Sequence, residues 1–191
     1  MTKAWKSEKI QISKLHDQIL HIFFPTKEEA NRIVDQGPWC FDKDLLIVKP
    51  WRYGEAIKVE DFYHTPFWIH IKGLPLECYT QDMVQKIGKN FSGCSVIQIR
   101  ENLDNGGRSF CMRATFNILK PLRRTIVLRG PDDEHIYALL RYEKLPIMYF
   151  NCSIIGHIAK KCTVMEMGQG DAQIFQYGIW LNAKFSRTTI L

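Results

Sequence analysis

Near the C-terminal end of the chain, three side chains have the types and spacing of metal ligands. Cys152, His157 and Cys162 form a Cys-x4-His-x4-Cys run inside "YFNCSIIGHIAKKC". Structural zinc takes thiolate and imidazole donors, four at a time, in a tetrahedron. Three are present. Three residues ahead of Cys152, where a Cys-x2-Cys pair would begin, stands Tyr149. A tyrosine phenol is protonated at neutral pH and a poor zinc ligand. The fourth place then falls to water, or to Cys78, Cys111 or His135 folded nearby. With water, affinity drops steeply, because metal binding supplies most of the folding free energy of so small a unit. The plain alternative is an ordinary buried cysteine, a surface histidine and a second cysteine. A nucleophilic Cys–His pair is a third reading, and it lacks an orienting group.

The chain around these residues is basic. Its 191 residues carry a formal net charge of +6 and a pI near 9.0, an excess that favours polyanionic partners, nucleic acid before anionic membrane. The densest basic group is Arg123, Arg124 and Arg129 with Arg141 and Lys144. Read as a solvated face it has no partner. Read as a phosphate-contact patch, it predicts a linear fall of log affinity with log salt and no sequence-specific readout. Hydrophobic residues make up 46% of the chain, enough for a core. No apolar run approaches the ~20 residues that span a bilayer, so no membrane partner is expected. The N-terminus lacks the apolar stretch of a secretory signal. Of six cysteines, those at 40, 78, 94 and 111 are scattered singly, which fits a reducing compartment, nuclear or cytoplasmic. No P-loop, paired-carboxylate or HExxH motif occurs, and no enzyme is expected.

The elements that must position these groups follow from periodicity. "EKIQISKLHD" and "QILHIFFP" read as two strands around a turn. "TKEEANRIVDQG" reads as a helix, with Thr26 and Glu29 as a capping box and Gly37 as its stop. "DLLIVKPW" (Asp44 to Trp51) reads as a strand. After a polar linker, "FWIHIKGLP" alternates, with Phe67, Ile69 and Ile71 on one side and Trp68, His70 and Lys72 on the other. A helix opens at Thr80 with Met83, Val84, Ile87 and Phe91 on one face. "CSVIQIREN" and "SFCMRATFNI" form a hairpin about "LDNGGR". A short helix is expected at Pro121, then strands in "IVLRG" and "EHIYALLRYEKLP". The second half therefore runs strand, helix, strand, strand, short helix, strand. The first half repeats only the back end of that order, and "MTKAW" reads as the last turn of a helix that is otherwise missing.

Several separated blocks carry a resemblance. They are "FPTKEEANRIVDQGPWCFDKDLLIVKPW", "PFWIHIKGLPLECYT", "LKPLRRTIVL", "RYEKLPIMYFNCSIIGHIAKKC" and "YGIWLNA". With them the chain resembles, over most of residues 5–184, a plant domain of unknown function. That domain precedes a CCHC zinc knuckle in retrotransposon-derived, Gag-like or LINE-type proteins. Two departures stand out: Tyr149 replaces the knuckle's first cysteine, and the domain's opening strand and helix are missing before Trp5. The resemblance implies that Cys152, His157 and Cys162 are the remaining zinc ligands. It also implies that Phe150 stacks on an unpaired base, with Lys160 and Lys161 beside it meeting phosphate.

The resulting fold class is α+β. Antiparallel sheet units like those of RNA-recognition motifs (ferredoxin-like) are expected, the first incomplete, followed by a small degenerate knuckle. The boundaries are 1–53 for the truncated unit, 54–66 for a linker, 67–146 for the second unit, 147–163 for the knuckle and 164–191 for a tail. The expected nucleic-acid contacts are Trp68, His70, Lys72, Arg113, Arg123, Arg124, Phe150, Lys160 and Lys161. Trp68 and His70 have a competing reading, in which they pack against a loop, the linker or the first half. The partner class is single-stranded RNA or DNA, RNA first, with weak zinc binding. The alternatives are a self-associating assembly module and a non-functional relic of a mobile element.

Overall fold

A computed structural model describes residues 5–7, 9–16, 18–91, 93, 96–102, 107–130, 132–146, 148, 152, 154–156 and 181–183. The first half contains β1 (Gln11–His16), β2 (Ile19–Phe23), α1 (Lys27–Asp35), β3 (Trp39–Phe41) and β4 (Asp44–Leu46). The second contains β5 (His64–Lys72), α2 (Gln81–Lys89), β6 (Val96–Asn102), β7 (Gly107–Asn117), β8 (Thr125–Arg129) and β9 (His135–Tyr142). The architecture is mixed α/β with antiparallel sheets, as the periodicity led one to expect.

In the first half the strands do not share a sheet. β1 pairs with β2, and β3 pairs with β4, as two separate two-stranded sheets. The strand expected over Asp44 to Trp51 stops at Leu46 and has an unforeseen partner in Trp39–Phe41. The cause is local. Asp42 and Lys43 both take positive φ, 46° and 73°, and a two-residue turn of that hand folds the chain straight back on itself. Thr26 caps α1 as expected, its hydroxyl accepting from the Glu29 N–H at 3.2 Å. The Glu29 carboxylate accepts from the Ser7 hydroxyl at 2.9 Å. Trp5 is buried against Phe24 and Trp39, with ring centroids 5.7 and 5.9 Å away. Arg32 donates to the Trp5 carbonyl at 2.8 Å, which ties this residue to α1. The β1–β2 hairpin leaves Leu15 and Phe23 more than half exposed, at 53% and 52%.

The second half forms a five-stranded antiparallel sheet in the order β6-β7-β5-β9-β8. β5 lies at its centre because it alternates strictly. Thr65, Phe67, Ile69 and Ile71 are buried, and the residues between them are not. The buried side chains meet α2, which is capped by Thr80 and turns Met83 and Ile87 inward. Phe110, Met112 and Ala114 of β7, and Ile136, Ala138, Leu140 and Tyr142 of β9, complete the core. The short helix expected at Pro121 is absent. The Asn117 side chain accepts from the Leu119 N–H at 2.9 Å, turning the chain. Leu122 then enters the core, and Thr125–Arg129 pairs with β9 as an edge strand. The sheet also gains a late contact. Leu181 is buried in the same core, Asn182 bridges Tyr142 in parallel, and the Ala183 N–H donates to the Tyr142 carbonyl at 2.8 Å.

The central packing predicts a measurable cost. Ile87→Ala removes a wholly buried side chain between α2 and β5 and is expected to lower unfolding free energy by about 2–5 kcal/mol, read from urea denaturation followed by circular dichroism.

Candidate functional site

Alternation on β5 sends Trp68, His70 and Lys72 to the sheet face away from α2. Strand register supplies their neighbours. On β7, Arg113 lies opposite Trp68, Cys111 opposite His70 and Thr115 opposite Pro66. On β9, Arg141 lies opposite His70 and Leu139 opposite Lys72. Phe110 and Phe116 turn to the other side, where Phe116 packs edge-on against Phe67, Phe91 and Tyr142. Both assignments agree with the periodicity of the sequence.

One half of this face is covered by the end of α1. A helix C-terminus leaves carbonyls without intrahelical partners and carries partial negative charge. Two cations meet it. The Arg113 guanidinium donates to the Val34 carbonyl at 3.1 Å and lies 3.9 Å from Asp35. The Lys144 ammonium donates to the Gln36 carbonyl at 2.6 Å and sits 3.8 Å above the Trp39 ring. Burial lowers the pKa of both groups; Asp35 opposes the shift at Arg113, and Glu143 opposes it at Lys144. Beside Arg113 lies a cavity of about 270 Å³ walled by Val34, Pro38, Ile47, Val48, Pro50 and Pro66. Arg113 Nε is buried there with no hydrogen-bond partner among the described residues.

On the same face lies a polar cluster. His70 Nε2 is 2.6 Å from Glu143 Oε1, and each side chain is only 13% exposed. The Glu143 N–H donates to the Trp68 carbonyl at 2.9 Å, fixing the carboxylate beside β5. Donor atoms of His70, Cys111 and Glu143 all lie within 4.8 Å of one another. Cys111 is fully buried and is a thiol rather than a disulfide partner.

The other half of the face is open. Tyr137 is 64% exposed, and Val127 pairs with it across β8. Arg129 is exposed and pairs with Asp133 at 3.0 Å; Lys72 and Arg141 are half-buried. The sequence contained a signal for Tyr137, since alternation in "HIYALLRY" puts it on the polar side of β9 with His135, Leu139 and Arg141. Arg123 and Arg124 are exposed in the loop before β8. Arg123 donates to the Asn90 carbonyl at 3.1 Å, at the end of α2.

Of the expected zinc ligands, Cys152 is described and half-buried. Met148 and Ile155 bridge antiparallel around it. Gly156 has φ +88°, a backbone state that glycine adopts without strain. Tyr149, Phe150, His157, Lys160, Lys161 and Cys162 lie outside the described residues, as do the tail aromatics Phe175, Tyr177 and Trp180.

Residues 1–58 match the model of a family described as a domain of unknown function (DUF4283), and residues 116–164 match a zinc knuckle family. No curated protein and no solved structure matches the chain. The knuckle match suggests nucleic-acid binding and a zinc ligand set. The donors Cys152, His157 and Cys162 fit zinc chemically as a three-ligand site.

If Arg113 holds α1 on the sheet, Arg113→Met removes a charged hydrogen bond to the Val34 carbonyl, which keeps the Gly37 N–H at 3.2 Å. The expected loss is about 1.5–3 kcal/mol of unfolding free energy. In limited proteolysis, residues 37–58 are expected to be cut before the sheet.

Proposed function

We propose that this chain binds single-stranded nucleic acid, RNA in preference to DNA, as a Gag-like protein of plant retrotransposon origin with no catalytic activity. The observation that carries this reading is the open half of the sheet face, where exposed Tyr137 stands on β9 among Lys72, Arg129 and Arg141. An aromatic platform beside cations can stack a base while the cations take the phosphates. The order β6-β7-β5-β9 supports an RNA-recognition-like sheet, since it is the strand order of a split βαβ unit. The zinc knuckle match supports a second contact, in which Phe150 stacks and Lys160 and Lys161 meet phosphate. Cys152, His157 and Cys162 would hold zinc in that knuckle, and the ion would order its short backbone.

A second reading is self-association. It is favoured by the apolar side chains exposed on the β1–β2 hairpin, among them Ile12, Leu15 and Phe23.

Titration with a fluorescent single-stranded RNA at two salt concentrations separates these readings. Binding is expected to weaken with salt, with a log–log slope of about −0.7 per phosphate contact. Tyr137→Ala is expected to cost about 1–3 kcal/mol of affinity without changing that slope. No salt-dependent binding, together with concentration-dependent sizing, would leave self-association as the better account.

A further inference from the structure

We propose that His70, Cys111 and Glu143 form a zinc site of their own, separate from the knuckle. Imidazole, thiolate and carboxylate are all zinc donors, and zinc is borderline in softness, so it accepts this mixed set. The three come from different places in the sequence and meet through the sheet. His70 and Cys111 are a cross-strand pair of β5 and β7. Glu143 follows β9, and its N–H is bound to the Trp68 carbonyl. Their donor atoms already lie within 4.8 Å of one another. Ligand atoms in a tetrahedral zinc site stand about 3.3–3.7 Å apart, as bonds of ~2.0–2.3 Å require. A small side-chain rotation therefore suffices for the His70 and Glu143 pair, which parts from 2.6 Å.

Charge and enclosure favour the same ion. His70 and Glu143 are each 13% exposed and Cys111 is buried, so water is scarce and a bare carboxylate is costly. On binding, the Cys111 thiol releases its proton, and thiolate plus carboxylate then balance a divalent cation. Arg113 and Lys144 lie close enough to oppose a cation. Their positive groups, however, are directed to the Val34 and Gln36 carbonyls. The fourth position falls to water. Zinc here would tie β5, β7 and the exit of β9 together, independently of the cysteine that Tyr149 replaces in the knuckle.

The test is metal content of the purified full chain, with cobalt substitution as a spectroscopic check. A variant with Cys152→Ser and Cys162→Ser is expected to retain one zinc per chain and to show a cobalt–thiolate charge-transfer band. Adding Cys111→Ser abolishes both, and His70→Gln lowers retention. A folded double variant without zinc overturns the proposal. If the double variant fails to fold, Cys111→Ser in the otherwise unchanged chain decides. Loss of one zinc equivalent there and in His70→Gln, which is no knuckle candidate, with the sheet's circular dichroism preserved, supports the site; unchanged stoichiometry in either overturns it.

Discussion

The arrangement rests on two cations set against one helix end. Arg113 and Lys144 occupy the carbonyls that close α1, and this contact joins the first half of the chain to the sheet. The Val34 carbonyl also accepts from the Gly37 N–H, so it is the two cations that depend most on the contact. The carbonyls at a helix C-terminus need donors, and a half-buried guanidinium or ammonium needs acceptors. The contact also explains why these two basic residues do not belong to an open phosphate-binding surface.

That single contact divides the sheet face into two environments. Next to it, strand register brings His70, Cys111 and Glu143 together with little exposure to water. On the open side, β9 and β8 present Tyr137, Leu139 and Val127 to solvent beside basic residues. β5 runs along the border and contributes to both, with His70 in the polar cluster and Lys72 opposite Leu139 near the open side.

Alternation made the second half legible. The inward set Phe67, Ile69 and Ile71, the helix from Thr80, and the face shared by Cys111, Arg113 and Thr115 all follow from a period of two or of 3.6. What escaped depends on contacts between distant parts of the chain, or on turns without a strong signature. Asp42 and Lys43 fold a hairpin although neither is glycine. Asn117 turns the chain where Pro121 suggested a helix. Nothing local marks His70 and Glu143 as partners, because they are brought together by strand order. The basic group read as one patch is dispersed: Arg123 bonds beside α2, Arg129 pairs with Asp133, and Lys144 lies on Trp39.

Leu181 returns to the core that Met148 and Ile155 also enter, and Asn182 bridges Tyr142 at the end of β9. Ile155 and Leu181, far apart in the sequence, are therefore held on one core. Two binding surfaces carried by one chain make the second contact an intramolecular step governed by effective concentration. On the proposed reading, a nucleic-acid strand resting on β9 and reaching the segment after Cys152 would gain avidity, with neither surface needing high affinity alone.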